Sequence, residues 1–177
     1  MLSVRNLINT TDLTADDITQ ILDTARTFEE VNHRTIKKVP ALRGRTVVNL
    51  FLEASTRTRS SFEIAEKRLS ADSLNVQGSN SSVSKGECLE DTIKTLDSYG
   101  IDMFVCRARN AGTAQRITRY TDARVINAGD GKHAHPTQAL LDLYTMRERF
   151  GHIDGLKVAI VGDLLHKIGR ASCRERV

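Results

Sequence analysis

The chain has no tryptophan, only two prolines and three cysteines in 177 residues, and just 5% of it is aromatic. Cys88, Cys106 and Cys173 are odd in number, far apart and without a CxxC pair, which argues against a disulfide scaffold and a zinc framework alike. They read as reduced packing residues. Long apolar runs are also missing, and the longest fall far short of a membrane span. The first thirty residues carry Arg5, Asp12, Asp16, Asp17, Asp23 and Arg26 and no apolar stretch, so neither a secretory leader nor a transit peptide is expected. A cytoplasmic location is the default. Basic residues exceed acidic ones by four, yet Lys167, Arg170, Arg174 and Arg176 against Glu175 place three of those charges in the last eleven residues. No basic stripe interleaved with aromatics remains elsewhere, so a nucleic-acid surface is not expected.

What is present is an alternation of two periods. Thr14 with Asp17 has the spacing of a capping box, and Ile18, Ile21, Leu22, Ala25 and Phe28 follow at helical intervals. The β-branched, apolar run Thr46 to Leu52 reads as a buried strand, and a helix follows from Ser60 to Leu69. Further strands are expected at 73–77, 101–106, 124–127 and 156–161. Helices are expected at 87–99, 114–120 and 136–150, the last opened by Pro136 and the first of these stopped by Gly100. Strands alternating with helices imply an α/β fold with a doubly wound parallel sheet flanked by helices. Gly151 and Gly155 ahead of a fresh strand suggest a domain over 1–150 and the beginning of a second α/β domain over 151–166.

In such sheets ligands bind beyond the carboxyl ends of the strands, so the loops there carry the information. Glu53 to Arg59 runs from a strand into a helix, where backbone amides and the helix dipole suit a phosphate. Ser55, Thr56 and Thr58 add hydroxyls and Arg57 adds a guanidinium fork, although an ordinary helix cap with solvated arginines has the same composition. A second loop, Gly78 to Lys85, contains the pattern Ser82-Val83-Ser84-Lys85. The companion motifs of a serine acyl-enzyme are missing, so Lys85 reads instead as a mobile cation for an anionic substrate or as a solvated lysine. Arg107 ends a strand and poses the same choice, while Arg109 reads as solvated. In the fourth loop, Asn127 to Gln138, His135 stands at a helix start, where an imidazole stays neutral and can donate to a carbonyl oxygen gaining charge. A capping or packing role for His135 fits equally well, and His133 reads only as a capping or packing residue. Val158 to Asp163 lacks the glycine spacing of a dinucleotide site.

Phe51 to Arg59 with Ser61-Phe62-Glu63, together with His135-Pro136-Thr137-Gln138, resembles the two signature segments of the carbamoyltransferases. Ser81 to Glu87 and Ala139 to Tyr144 resemble the aspartate branch of that family rather than the ornithine branch. The resemblance implies that Ser55, Thr56, Arg57 and Thr58 hold the phosphate of carbamoyl phosphate and that Arg107 reaches phosphate and carbonyl oxygen. It further implies that His135 and Thr58 polarise the carbonyl, that Gln138 holds the carbamoyl amide, and that Ser81 and Lys85 enter a neighbouring subunit's site in a homotrimer. The catalytic set is then Arg57, Thr58, Arg107, His135 and Gln138, with no metal or organic cofactor. The reaction implied is carbamoyl transfer to the α-amino group of L-aspartate in pyrimidine synthesis, and the family leaves room for a regulatory chain. A non-catalytic anion-binding or assembly module, or transfer to another amine, would share this half of the site.

The resemblance stops near His166. A Ser-Arg pair is expected there in the family and Lys167-Ile168 stands instead. Residues 167–177 have no helical or strand period and read as a non-native tail on a truncated chain. Such a fragment is expected to bind carbamoyl phosphate and to turn over little or not at all.

Overall fold

A computed structural model describes residues 2–77 and 88–159 of the chain. Helix α1 (Ala15–Glu29) starts where the capping box predicts, with the Asp17 amide donating to the Thr14 hydroxyl at 3.1 Å and the Thr14 amide to the Asp17 carboxylate at 2.9 Å. Then follow β1 (Thr46–Phe51), α2 (Thr56–Leu69), β2 (Asp72–Gln77), α3 (Leu89–Asp97) and β3 (Met103–Ala108). The chain continues through α4 (Thr113–Ile117), β4 (Arg124–Asp130) and α5 (Pro136–Phe150). Pro136 occupies the first turn of α5, and Gly151 ends it in the left-handed conformation at φ 78°. Those two residues account for the agreement of this helix with expectation at both ends.

All strand pairs are parallel, in the order β2-β1-β3-β4. One face of the sheet packs Val48, Leu50, Phe104, Cys106 and Val125 against Ile93 and Leu96 of α3 and Ala114 and Ile117 of α4. The other face sets Val47, Phe51, Val105 and Ala128 against Phe62 of α2. α1, α2 and α5 border a common groove lined by Phe28, Ile64 and Tyr144, so α5 lies on the α2 side. Both faces of the sheet are covered, which is why β1 and β3 read as nearly unbroken apolar runs. The outer edge of β4 is closed by the N-terminal segment, with the Leu7 amide donating to the Val125 carbonyl at 2.9 Å and the Asn127 amide to the Leu7 carbonyl at 2.8 Å.

Several boundaries differ from expectation, and three of them bear on the site. α2 begins at Thr56 rather than Ser60, so the Ser55 to Arg59 turn is mostly the first turn of a helix. β3 spans 103–108 rather than 101–106: Ile101 is buried but precedes the ladder, and Arg107 pairs with Phe51 inside it. β4 runs to Asp130 rather than Asn127, because an irregularity after Cys106 lets Ala108 pair with Asp130. Residues 156–159 form no strand, since no described residue pairs with them, and the remainder of the run expected at 156–161 lies outside the described residues. No described helix is long and apolar enough to cross a membrane.

Candidate functional site

The strand order reverses between β1 and β3. From β1 the chain winds outward to β2, then crosses back to β3 and continues the other way to β4. Loops leaving β1 and β3 therefore part in opposite directions and open a crevice at their carboxyl ends. The Leu52 amide donates to the Arg107 carbonyl at 2.8 Å and marks the floor of that crevice.

On one wall, Ser55 is the N-cap of α2 with extended backbone (φ −154°, ψ 95°), and its side chain makes no capping bond. The amides of Thr56, Arg57 and Thr58 fall in the first turn, where a helix offers them no acceptor of its own, and the Arg59 amide is the first to bond back, to the Ser55 carbonyl at 3.2 Å. Unpaired amides and the positive end of a 14-residue helix point at one place. A cavity of about 310 Å³ opens there, lined by Glu53, Ser55, Thr56, Arg59 and Gln77 among others. Arg59 borders it, whereas the Arg57 side chain is exposed and does not.

On the other wall, Arg107 is held rigidly by its place within β3. Its side chain is only 12% exposed, and Nη1 donates to the Ala128 carbonyl at 3.1 Å. Nε is buried without a hydrogen-bond partner among the described residues, and the nearest anion, Glu53 Oε2, is 3.7 Å away, too far for a hydrogen bond. A buried, unsatisfied guanidinium N–H is a ready donor for an anion. The guanidinium lies across Gly129, where a Cβ would come within 2.7 Å of Nη1 and 3.4 Å of His135 Cδ2. Only glycine permits that approach, and its φ of 117° is one that other residues rarely adopt.

His135 is the N-cap of α5 and 5% exposed. Burial first, and the neighbouring Arg107 second, push its pKa down to about 4, against a smaller opposing pull from Asp130. The ring is therefore neutral at physiological pH. Nδ1 lies 3.2 Å from the Thr137 hydroxyl. One turn on, Gln138 Nε2 donates to Asp142 Oδ1 at 2.9 Å, which leaves the Gln138 carbonyl oxygen as the group presented elsewhere.

Ser55, Thr56, Arg57, Thr58, Arg107, His135 and Gln138 thus gather at one edge of the sheet, contributed by α2, β3 and α5. Ser81 and Lys85 lie outside the described residues. Sequence reasoning passed over Glu53, Arg59 and Asp130. Glu53 and Arg59 stand inside the motif already singled out, but helical spacing alone could not say which of two arginines turns toward the cavity. Asp130 is 1% exposed, and by sequence it sits in a glycine-flanked stretch of the fourth loop, a place where aspartate is common for local reasons.

Residues 5–148 match the family model described as aspartate/ornithine carbamoyltransferase, carbamoyl-P binding domain. The aspartate carbamoyltransferase catalytic subunit of Thermobifida fusca is 58% identical over 163 residues, covering 92% of this chain and 52% of the relative. That of Frankia casuarinae is 56% identical over 162 residues, covering 92% and 51%. Among solved structures, aspartate transcarbamoylase from Trypanosoma cruzi in complex with N-(phosphonacetyl)-L-aspartic acid superposes with a TM-score of 0.87 at 34% identity, over 98% of this chain and 53% of that one. The catalytic subunit of M. jannaschii aspartate transcarbamoylase gives 0.79 at 42% identity, over 86% and 50%. The chain spans about half the length of the curated relatives it matches. It belongs to the aspartate/ornithine carbamoyltransferase family and carries that family's carbamoyl-P binding domain.

Proposed function

We propose that this chain binds carbamoyl phosphate and supplies that half of an aspartate carbamoyltransferase active site. The observation that supports the reading is the reversal of strand order between β1 and β3, which brings the start of α2, Arg107 at the end of β3 and the neutral ring of His135 to the same edge of the sheet.

In this reading the phosphate sits against the amides and hydroxyls of Ser55, Thr56 and Thr58, with Arg57 swinging in from solvent and Arg107 spanning phosphate and carbonyl oxygen. When the Thr137 hydroxyl donates to His135 Nδ1, Nε2 carries the ring proton and donates to the carbamoyl carbonyl. A neutral donor does this without losing its proton as the oxygen gains charge, and Thr58 adds a second hydrogen bond. Gln138, its amide nitrogen tied to Asp142, presents its oxygen to the carbamoyl NH2 group. The amine nitrogen of L-aspartate attacks the carbamoyl carbon, the C–N bond forms, and the C–O bond to phosphate breaks from a tetrahedral intermediate. Phosphate departs with the bonding electrons and the amine gives up a proton. The chain's part is positioning and electrostatic stabilisation.

Aspartate as acceptor accords with the names of the relatives. Pyrimidine synthesis as the setting, a cytoplasmic location, a homotrimer in which Ser81 and Lys85 serve a neighbour, and a domain boundary near residue 150 complete the reading and are carried over from the sequence resemblance.

Calorimetric titration with carbamoyl phosphate, and separately with inorganic phosphate, tests the reading. Arg107→Ala is expected to weaken both by about tenfold or more, the loss of a charged hydrogen bond. Arg57→Ala should do the same. A folded chain that binds neither ligand, or binds them unchanged in both variants, refutes the assignment.

A further inference from the structure

We infer that Asp130 is a positioning residue, holding the loop that presents His135 to the crevice; the inference rests on the role proposed for His135. Asp130 is a carboxylate at 1% exposure, and among the described residues no lysine or arginine side chain is hydrogen-bonded to it. Donors take the place of a cation. Oδ2 accepts from the Gly112 amide at 2.7 Å, and Oδ1 accepts from the Ala134 amide at 3.0 Å and from Asn127 Nδ2 at 3.1 Å. The half-exposed His133 ring stands 3.2 Å from Oδ2.

A buried carboxylate is costly to keep, and a wholly apolar turn would avoid that cost. What the arrangement achieves is geometric. The Asp130 amide donates to the Ala134 carbonyl at 3.1 Å while the Ala134 amide donates back to Asp130 Oδ1, so the loop is clamped closed one residue before His135. The same side chain anchors that loop to Gly112 at the start of α4, and the Gly131 amide adds a bond to the Ala108 carbonyl at 2.9 Å. On the far side of the ring, Asn127 Oδ1 accepts from the Gly129 amide at 2.9 Å, and Asn127 Nδ2 also holds the Ile8 carbonyl at 3.0 Å. Gly129 is the residue whose closeness to Arg107 leaves no room for a Cβ, and a Cβ there would lie in ordinary contact with the His135 ring. Asn127 and Asp130 therefore set both flanks of the imidazole without touching it.

The test is a nuclear magnetic resonance titration of the His135 ring in the wild-type chain, in Asp130→Asn and in His133→Gln. Asparagine is nearly isosteric, but it turns an N–H2 group toward donors that need an acceptor, so the clamp opens. Loss of Asp130's charge alone would lower the His135 pKa further, because that charge raises it. Loss of position does the opposite, since a ring released from its buried slot drifts from about 4 back toward 6.5. A rise in Asp130→Asn with no change in His133→Gln supports the inference, and an unchanged or lowered value in a folded Asp130→Asn overturns it. Should Asp130→Asn fail to fold, amide exchange in the wild-type chain decides. The Ala134 and Gly112 amides should then exchange as slowly as those inside β4, and exchange at the rate of the exposed Lys132 amide overturns the clamp. Neither readout uses ligand, so a chain that keeps the clamp yet fails to bind phosphate refutes the proposed function and not this inference.

Discussion

His135 makes acid stability a direct test of how the site is built. Its pKa is pushed down from 6.5 to about 4, so the folded chain binds a proton there less readily than the unfolded chain. A group of this kind contributes stability above its unfolded pKa, and that contribution is lost as pH falls from about 6.5 toward 4. A shift of this size corresponds to about 3 kcal/mol in full, of which about 2 kcal/mol disappears between pH 7 and pH 5. For a domain of marginal stability that is a large fraction. The assay is urea unfolding of the wild type and His135→Gln at pH 7, 6 and 5. Groups common to both chains cancel in the difference. The wild type should lose about 2 kcal/mol more than the variant across that range. A difference that stays flat with pH would show that the ring is not buried neutral, and the argument for it as an uncharged donor would fail with it.

Gly129→Ala places a Cβ 2.7 Å from Arg107 Nη1 at a φ of 117°, so it should cost about 1–3 kcal/mol of stability and displace the guanidinium. Calorimetry should then show weaker phosphate binding, and unchanged affinity would mean that Arg107 does not need its observed pose. In α2, Glu66 is buried and its pKa is raised, chiefly by desolvation; Asn49 Nδ2 donates to Oε2 at 2.8 Å, while Oε1 and Asn49 Oδ1 lack partners among the described residues. Ionising it therefore works against folding, so Glu66→Gln should raise the melting temperature by a few degrees at pH 7, and the gain should vanish in acid where Glu66 holds its proton. A gain that persists at low pH would count against this account.

Local chemistry made much of the fold legible. Helix α5 could be placed to the residue because Pro136 and Gly151 punctuate it, and the start of α1 because Thr14 and Asp17 cap it. The limits of β3 and β4 were not legible, because a strand ends where its partner's hydrogen bonds end. Ile101 is buried like a strand residue yet lies outside the ladder, and Asp130 looks like turn chemistry yet pairs with Ala108. The same reasoning covers the site. The Ser55 to Arg59 turn could be placed where a strand meets a helix because that junction depends only on its neighbours in the chain.

The sequence by itself determined the alternation of strands and helices, the phosphate-suited turn after β1 and a histidine at the head of a helix, because each depends on neighbours a few residues apart. Only the tertiary structure decided the order β2-β1-β3-β4, and with it which loops face one another. It also decided that Arg59 rather than Arg57 borders the cavity, that Arg107 has an unpaired Nε, and that Asp130 is buried beside His135. Those facts rest on contacts between segments far apart in the chain, where burial and strand pairing, not local spacing, set the geometry.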